Sequence, residues 1–203
     1  MNFDLFQLIN QFAGKYLWLD FLMVNLANYA QLIFPAILIY FWFYSTENVK
    51  REQCQRTSLY AAICAGTSLI VNLVVNMVYF NPRPFVTHSV HQLIPHSAAE
   101  SSFASDHAIL AYSVAFILLF LKHKIRYKIL FLAVLVSISR VFVGVHYPGD
   151  IAGSIVISLV SSFMIIKFSK YLEPFVQLIF NRYATLTVKI PLLSKYSHKQ
   201  YLK

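Results

Sequence analysis

An all-α, polytopic bundle of membrane-spanning helices is the fold class this sequence predicts, and three observations predict it. Hydrophobic residues make up 58% of the 203-residue chain and charged residues only 12%, against roughly 25% charged in a soluble domain. The apolar residues come in blocks close to the ~20 residues that a helix needs to cross a bilayer. The basic residues fall between those blocks and recur on one predicted side, as a topology signal does. A net charge of +9 alone would admit a nucleic-acid partner; the placement of the charges argues against one. At this length a single domain over residues 1–203 is the natural reading.

Residues 2–28 mix apolar and polar side chains at helical spacing, with Phe3, Leu5, Phe6, Leu8, Ile9 and Phe12 prominent. They read as one or two short amphipathic helices in the membrane interface; the alternative is that part of the segment crosses, which makes the span count five or six. The first span covers 31–44 with some preceding residues, and Trp42, Phe43 and Tyr44 suit an aromatic belt at its end. A polar loop over 45–56 carries Lys50, Arg51 and Arg56. The second span runs over 58–80 and a long polar loop follows to 103. The third span covers 104–121, a basic turn 122–128, the fourth span 129–145 and the fifth 150–166. Tyr147-Pro148-Gly149 breaks the chain between the last two. In the basic tail, 167–203, the stretch around 174–190 reads as a surface helix or a further apolar segment. Ten residues of helix separate Cys54 from Cys64 by about 15 Å, too far for a disulfide, so both are expected as free thiols.

With five spans, the 45–56 loop, the 122–128 turn and the tail share one side, which the positive-inside rule makes cytoplasmic. Only Lys15, Arg83 and Arg140 lie outside these regions. Both arginines fall at the outer ends of spans, where a charge is costly without a partner or a task.

Three segments converge on that outer side: 76–84, 102–107 and 139–150. Each offers groups suited to phosphoryl transfer. Arg83 and Arg140 present planar forks of N–H donors that match phosphate oxygens. Ser105 and Asp106 sit at a helix start, a ready anion site. His146 can attack phosphorus through a ring nitrogen. Asp150, four residues on, can accept a hydrogen bond from the other ring nitrogen, fixing the tautomer. His107 can protonate the leaving oxygen and later activate water. No metal and no cofactor are needed, because the arginines can neutralise developing charge.

These segments resemble the three signature motifs of the type-2 phosphatidic acid phosphatase superfamily: Lys-x6-Arg-Pro, Pro-Ser-Gly-His and Ser-Arg-x5-His-x3-Asp. The third matches in full at Ser139, Arg140, His146 and Asp150; the second stands as Ala104-Ser105-Asp106-His107; the first keeps Arg83 and Pro84 but has Asn76 where lysine is usual. Residues 76–150 form the motif core. The Glu100-to-His107 stretch, the short length and the N-terminal segment are similar to undecaprenyl-diphosphate phosphatases of the bacitracin-resistance type. The resemblance implies hydrolysis of undecaprenyl diphosphate to undecaprenyl phosphate and phosphate in a bacterial cytoplasmic membrane, with the site facing outward. It implies His146 as nucleophile through a phosphohistidine, Asp150 as its partner, His107 as acid then base, and Arg83, Arg140, Ser105, Asp106 and Asn76 at the phosphate. The expected partners are a polyprenyl diphosphate and the bilayer; oligomeric state is left open.

Asn76 donates a hydrogen bond but brings no charge. Asp106 is repulsive to phosphate unless its carboxylate points away or caps the helix, so its backbone amide is expected to face the ligand. Glu100 and His96 are candidates for contact with the second phosphate. His88, His91 and His96 have poor spacing for a metal. The nearer alternative is another lipid phosphatase, acting on phosphatidylglycerophosphate or phosphatidic acid, since the motifs read phosphate and not tail. The farther one is a non-enzymatic membrane transporter or anion-binding protein, which would more usually place its polar groups near mid-membrane.

Overall fold

The computed structural model describes residues 2–44 and 48–189, and among these it contains helices and no strand. A short helix α1 (Asn2–Asn10) precedes two long ones, α2 (Leu17–Phe43) and α3 (Asn48–Val78). One helical turn, α4 (Pro84–Thr87), interrupts the following loop. Then come α5 (Asp106–Phe120), α6 (Arg126–Phe142), α7 (Pro148–Lys167) and α8 (Ser169–Lys189). Among the described residues, three helices are long and apolar enough to cross a membrane: α2, the Lys50–Val78 part of α3, and α7. The chain is a multi-pass membrane protein.

The bundle is built around α5, which packs against α7, α6, α3 and α2. Its 15 residues extend only about 22 Å, and it is apolar on every side: Ala108, Ala111, Val114, Ala115, Ile117 and Leu118 are all buried. A helix without a polar face belongs in an interior. Small polar residues let α3 and α7 approach it. Ser113 Oγ lies 3.2 Å from Ser68 Oγ and 3.4 Å from Ser158 Oγ, with one proton to share between them, and Ser158 donates to the Ile109 carbonyl. Ser154 donates to the Ser105 carbonyl, and Cys64 lies 3.1 Å from Ser162. Hydroxyl pairs of this kind glue helices where lipid offers no hydrophobic drive. Cys54 and Cys64 are both free and buried.

Two sequence expectations need correction. Residues 17–28 are not a separate short helix; they form the first part of α2, which at 27 residues reaches about 40 Å, in line with the alternative that part of this segment crosses. Asp20, Asn25 and Asn28 hid this by interrupting the apolar block. Asp20 caps the preceding turn through Gly14 N–H at 3.0 Å and Asn25 donates to the Phe21 carbonyl. The amphipathic reading holds for α1. Likewise, residues 48–56 are not loop but the first turns of α3. Arg56 is held by Glu52 at 3.0 Å and by Glu173 of α8 at 2.7 Å, so its charge is matched inside helical structure. Helix α8 is the segment expected around 174–190. It packs across the ends of α2 and α3 through Phe180, which sits against Trp42 and under Arg56. Residues 190–203 of the basic tail lie outside the described residues.

Lys124 of the α5–α6 turn reaches Tyr44 at the end of α2, so the basic segments gather at one end of the bundle. The motif segments gather at the other.

Candidate active site

The end of α3, the 81–105 loop, the start of α5 and the α6–α7 connection enclose an open cavity of about 430 Å3. Asn76, Arg83, His96, Glu100, Asp106, His107, Arg140 and His146 all line it. Three stretches separated by tens of residues thus share one rim.

The His146 turn is fixed from several sides. Helix α6 ends at Phe142 with Val143 as its C-cap, and Gly144 takes a left-handed φ of 85°. Helix α7 begins with Pro148 in its first turn, and the Asp150 carboxylate accepts the Tyr147 backbone N–H at 2.7 Å. Asp150 also accepts Ser102 Oγ at 2.5 Å and Asn81 Nδ2 at 3.0 Å. Three donors therefore hold a buried carboxylate in place, as burial of a charge requires.

His146 is 3% exposed, and its Nδ1 lies 2.8 Å from the Ser102 carbonyl oxygen and 3.8 Å from Asp150 Oδ2. The expected direct hydrogen bond to Asp150 is thus replaced by one to the Ser102 carbonyl. A carbonyl only accepts, so Nδ1 carries the proton and Nε2 keeps its lone pair. Asp150 acts as a nearby negative charge and, through Ser102 Oγ, as an anchor for the residue that orients the imidazole. Burial, reinforced by Arg140 and Arg83 and opposed by Asp150, pushes the His146 pKa down from 6.5 to about 4. The ring is neutral at pH 7, the form in which Nε2 keeps its lone pair.

The arginines face the cavity with donors to spare. Arg140 is 1% exposed; it donates to the Ala27 carbonyl at 3.2 Å and to His96 Nε2 at 3.0 Å. Arg83 donates to the Val145 carbonyl at 3.1 Å and to Glu100 Oε2 at 3.2 Å. Arg83 Nε, Arg140 Nε, Ser105 Oγ and Asn76 Oδ1 are buried without a hydrogen-bond partner among the described residues. Unpaired buried polar atoms are rare and call for an explanation. Arg83, Arg140 and Asn76 line the cavity, where an anion's oxygens would satisfy the two guanidiniums, while Ser105 is fully buried between the lining residues Ala104 and Asp106. Ser105 precedes α5 but makes no side-chain cap bond, so capping does not consume its hydroxyl. Asn76 can present its amide N–H by rotation about its last bond.

Asp106 lines the cavity with one carboxylate oxygen engaged. Asn72 of α3 donates to Asp106 Oδ1 at 2.8 Å and to the Ala104 carbonyl at 3.0 Å, and accepts the Ala104 N–H. One buried amide thus pins both the carboxylate and the strand-like approach to α5. Glu100 and His96 meet each other at the mouth: His96 Nδ1 lies 3.5 Å from Glu100 Oε2. Burial first, then Arg83 and Arg140, lowers the His96 pKa. That agrees with a neutral ring accepting from Arg140. His88 and His91 go elsewhere. His88 stacks on Phe3 and contacts Tyr147, while the His91 backbone pairs with Asn10.

Sequence reasoning missed Ser102, Asn81, Asn72 and Asn10. Asn10 is buried and donates to the Phe142 and His91 carbonyls, both at 2.8 Å. It ties α1 to the last turn of α6, just before the His146 turn. None of these four carries a spacing signal, because each acts on a distant segment.

A family model described as the PAP2 superfamily matches residues 55–174. The chain is 36% identical over 190 residues to the undecaprenyl-diphosphatase BcrC of Bacillus subtilis, covering 94% of this chain and 95% of that one. It is 31% identical to a protein named bacitracin transport permease protein BcrC from Bacillus licheniformis, covering 81% and 79%. Among solved structures, Aquifex aeolicus LpxE superposes with a TM-score of 0.67 at 21% identity, over 82% of this chain and 94% of that one. A PAP2-type phosphatidylglycerolphosphate phosphatase from Bacillus subtilis superposes with a TM-score of 0.62 at 24% identity, over 83% and 86%.

Proposed function

We propose, on the premise that this chain belongs to the PAP2 superfamily, that it hydrolyses undecaprenyl diphosphate to undecaprenyl phosphate and inorganic phosphate at the outer face of a bacterial cytoplasmic membrane. The observation that carries the chemistry is the orientation of His146: its Nδ1–H is spent on the Ser102 carbonyl, which leaves Nε2 free beside two arginines. The near-full-length relative named for that substrate supports the choice of lipid.

In the first step Nε2 bonds to the terminal phosphorus as the bridging P–O bond breaks. The electron pair leaves on the undecaprenyl phosphate oxygen, with His107 supplying a proton. Arg83, Arg140 and Ser105 hold the phosphoryl oxygens, Asn76 adds a neutral donor, and the Asp106 amide faces the ligand. The imidazole gains positive charge on phosphorylation, and Asp150 stabilises it at 3.8 Å. In the second step His107 takes a proton from water, which attacks phosphorus as the P–Nε2 bond breaks; the electron pair returns to Nε2 and His146 is neutral again. The leaving phosphomonoester is a weak base, so His107 matters most in this step. Five helices, α2, α3, α5, α6 and α7, cross the bilayer in this reading, with α8 on the basic, cytoplasmic side.

The relative named as a permease raises transport as a second reading. The polar cluster at span ends, away from mid-membrane, supports hydrolysis. Phosphate release in detergent, where no gradient exists, separates the two. The test of substrate is a panel of undecaprenyl diphosphate, phosphatidylglycerophosphate and phosphatidic acid, with wild type and Glu100→Ala. Undecaprenyl diphosphate is expected to turn over fastest. Glu100→Ala is expected to lower diphosphate turnover several-fold more than monophosphate turnover, through the Arg83 and His96 contacts it organises. Equal loss on both would remove Glu100 from recognition of the second phosphate.

A further inference from the structure

We propose that the open cavity at the basic end of the bundle, opposite the active site, binds the phosphate-bearing headgroup of an anionic bilayer lipid. The cavity, about 610 Å3, lies between the end of α2, the start of α3 and the α5–α6 turn, and Tyr44, Arg56, Thr57, Lys122, His123 and Lys124 line it. Arg56 is committed to Glu52 and Glu173. Lys122 and Lys124 pair with no carboxylate among the described residues. Lys124 donates only to the neutral Tyr44 hydroxyl, at 3.1 Å, and lies over the Tyr44 ring. Both ammonium groups are exposed, so solvent screens their repulsion, and an anion seated between them would remove what is left of it.

The backbone at Lys122 supplies a second, independent observation. Helix α5 ends in a turn where Lys122 N–H bonds to the Leu119 carbonyl at 3.1 Å and His123 N–H to the Leu118 carbonyl at 2.9 Å. This places Lys122 in the left-handed position after the helix, at φ 53°. Glycine is the relaxed residue there, and a β-carbon is strained. A topology signal counts basic residues in the loop and is indifferent to which of them stands at the left-handed position. The neighbouring positions could carry the same charge without strain. A lysine held at this position therefore points to a use for its charge at this place. Leu121 and Tyr60 add an apolar wall beside the cations. A lipid's glycerol and chain can use that wall; a free phosphate ion cannot. Basic pockets at a membrane boundary suit anionic headgroups.

The test uses the full chain purified in detergent, exposed to phosphatidylglycerol and phosphatidylcholine of matched chains, with retained lipid counted by native mass spectrometry. Wild type is expected to retain phosphatidylglycerol over phosphatidylcholine by roughly fivefold or more, and Lys122→Gly with Lys124→Gln to retain both alike. Lys122→Gly alone is expected to lose part of the preference while melting at or above the wild-type temperature, with phosphate release from undecaprenyl diphosphate unchanged. Three results would each overturn the proposal: an undiminished preference in the double variant, a lower melting temperature for Lys122→Gly, or displacement of phosphatidylglycerol from wild type by millimolar inorganic phosphate.

Discussion

Helices α5 and α6 end in the same backbone turn at opposite ends of the bundle, and the two turns are occupied by opposite kinds of residue. After α6, Gly144 N–H bonds to the Val141 carbonyl at 3.1 Å and Val145 N–H to the Arg140 carbonyl at 3.3 Å, the pattern seen at Lys122 and His123. Both central residues are left-handed. The difference lies in what surrounds them. A β-carbon on Gly144 would stand 2.5 Å from the His91 carbonyl oxygen and 3.3 Å from Gln92 Cα, so the packed loop excludes every side chain. Lys122 is exposed, so only backbone strain opposes its side chain. One turn is set by steric closure beside His146; the other tolerates strain at a charged surface. The same dihedral angles mean different things at the two ends, and tertiary packing decides which.

The comparison can be broken most sharply at the tight turn. Gly144→Ala places a β-carbon where neither the dihedral nor the space allows one. A left-handed L-residue costs about 1–2 kcal/mol before any clash, and the clash must move the link between Arg140 and His146. Turnover is expected to fall at least ~100-fold, read as phosphate release, with a lower melting temperature. The contrast with Lys122→Gly, where release holds, is the sharpest form of the comparison.

The next effect comes from α1. Asn10→Ala strips partners from the Phe142 and His91 carbonyls and from His91 N–H. Each buried polar group left unpaired costs about 1–3 kcal/mol. A loss of about tenfold or more in kcat, with a smaller change in KM, is expected if α1 serves to hold the His146 turn.

The smallest of the three concerns pH. In the proposed mechanism His146 must be neutral to attack, and burial pushes its pKa down to about 4. The acid limb of kcat/KM set by this residue therefore falls well below the ordinary histidine value of 6.5, and nucleophile protonation costs nothing between pH 6 and 8. Ser102→Ala removes a donor from Asp150 but keeps the carbonyl that orients the ring. The carboxylate then attracts the imidazole proton more strongly, so the limb is expected to move upward while kcat drops by about tenfold or less. A pH–rate profile of both proteins reads the shift.

What could be read from the sequence follows the range of each interaction. The His146–Asp150 pair was legible because both residues flank one Pro-Gly turn, and local spacing fixes their proximity. The helices were legible as apolar blocks, but not their starts. Polar residues such as Asn25 and Arg56 look like loop in a hydropathy trace, and only their partners reveal them as helical. Ser102, Asn81, Asn72 and Asn10 were invisible for a related reason. Serine and asparagine are ordinary in loops and helix ends, and each gains its role by hydrogen bonding across the fold. The substitution of the Ser102 carbonyl for Asp150 at His146 Nδ1 belongs to the same class, since a backbone acceptor leaves no mark in residue identity.

Trapping the phosphorylated enzyme tests the central claim most directly. Purified protein is mixed with undecaprenyl diphosphate labelled in the terminal phosphate, with a chelator present, quenched in alkali to preserve phosphohistidine, and digested for mass spectrometry. The label should appear on the peptide containing His146, and a folded, membrane-inserted His146→Ala should carry no label and release no phosphate. Substantial phosphate release by that variant, or label on a peptide that lacks His146, would contradict the account.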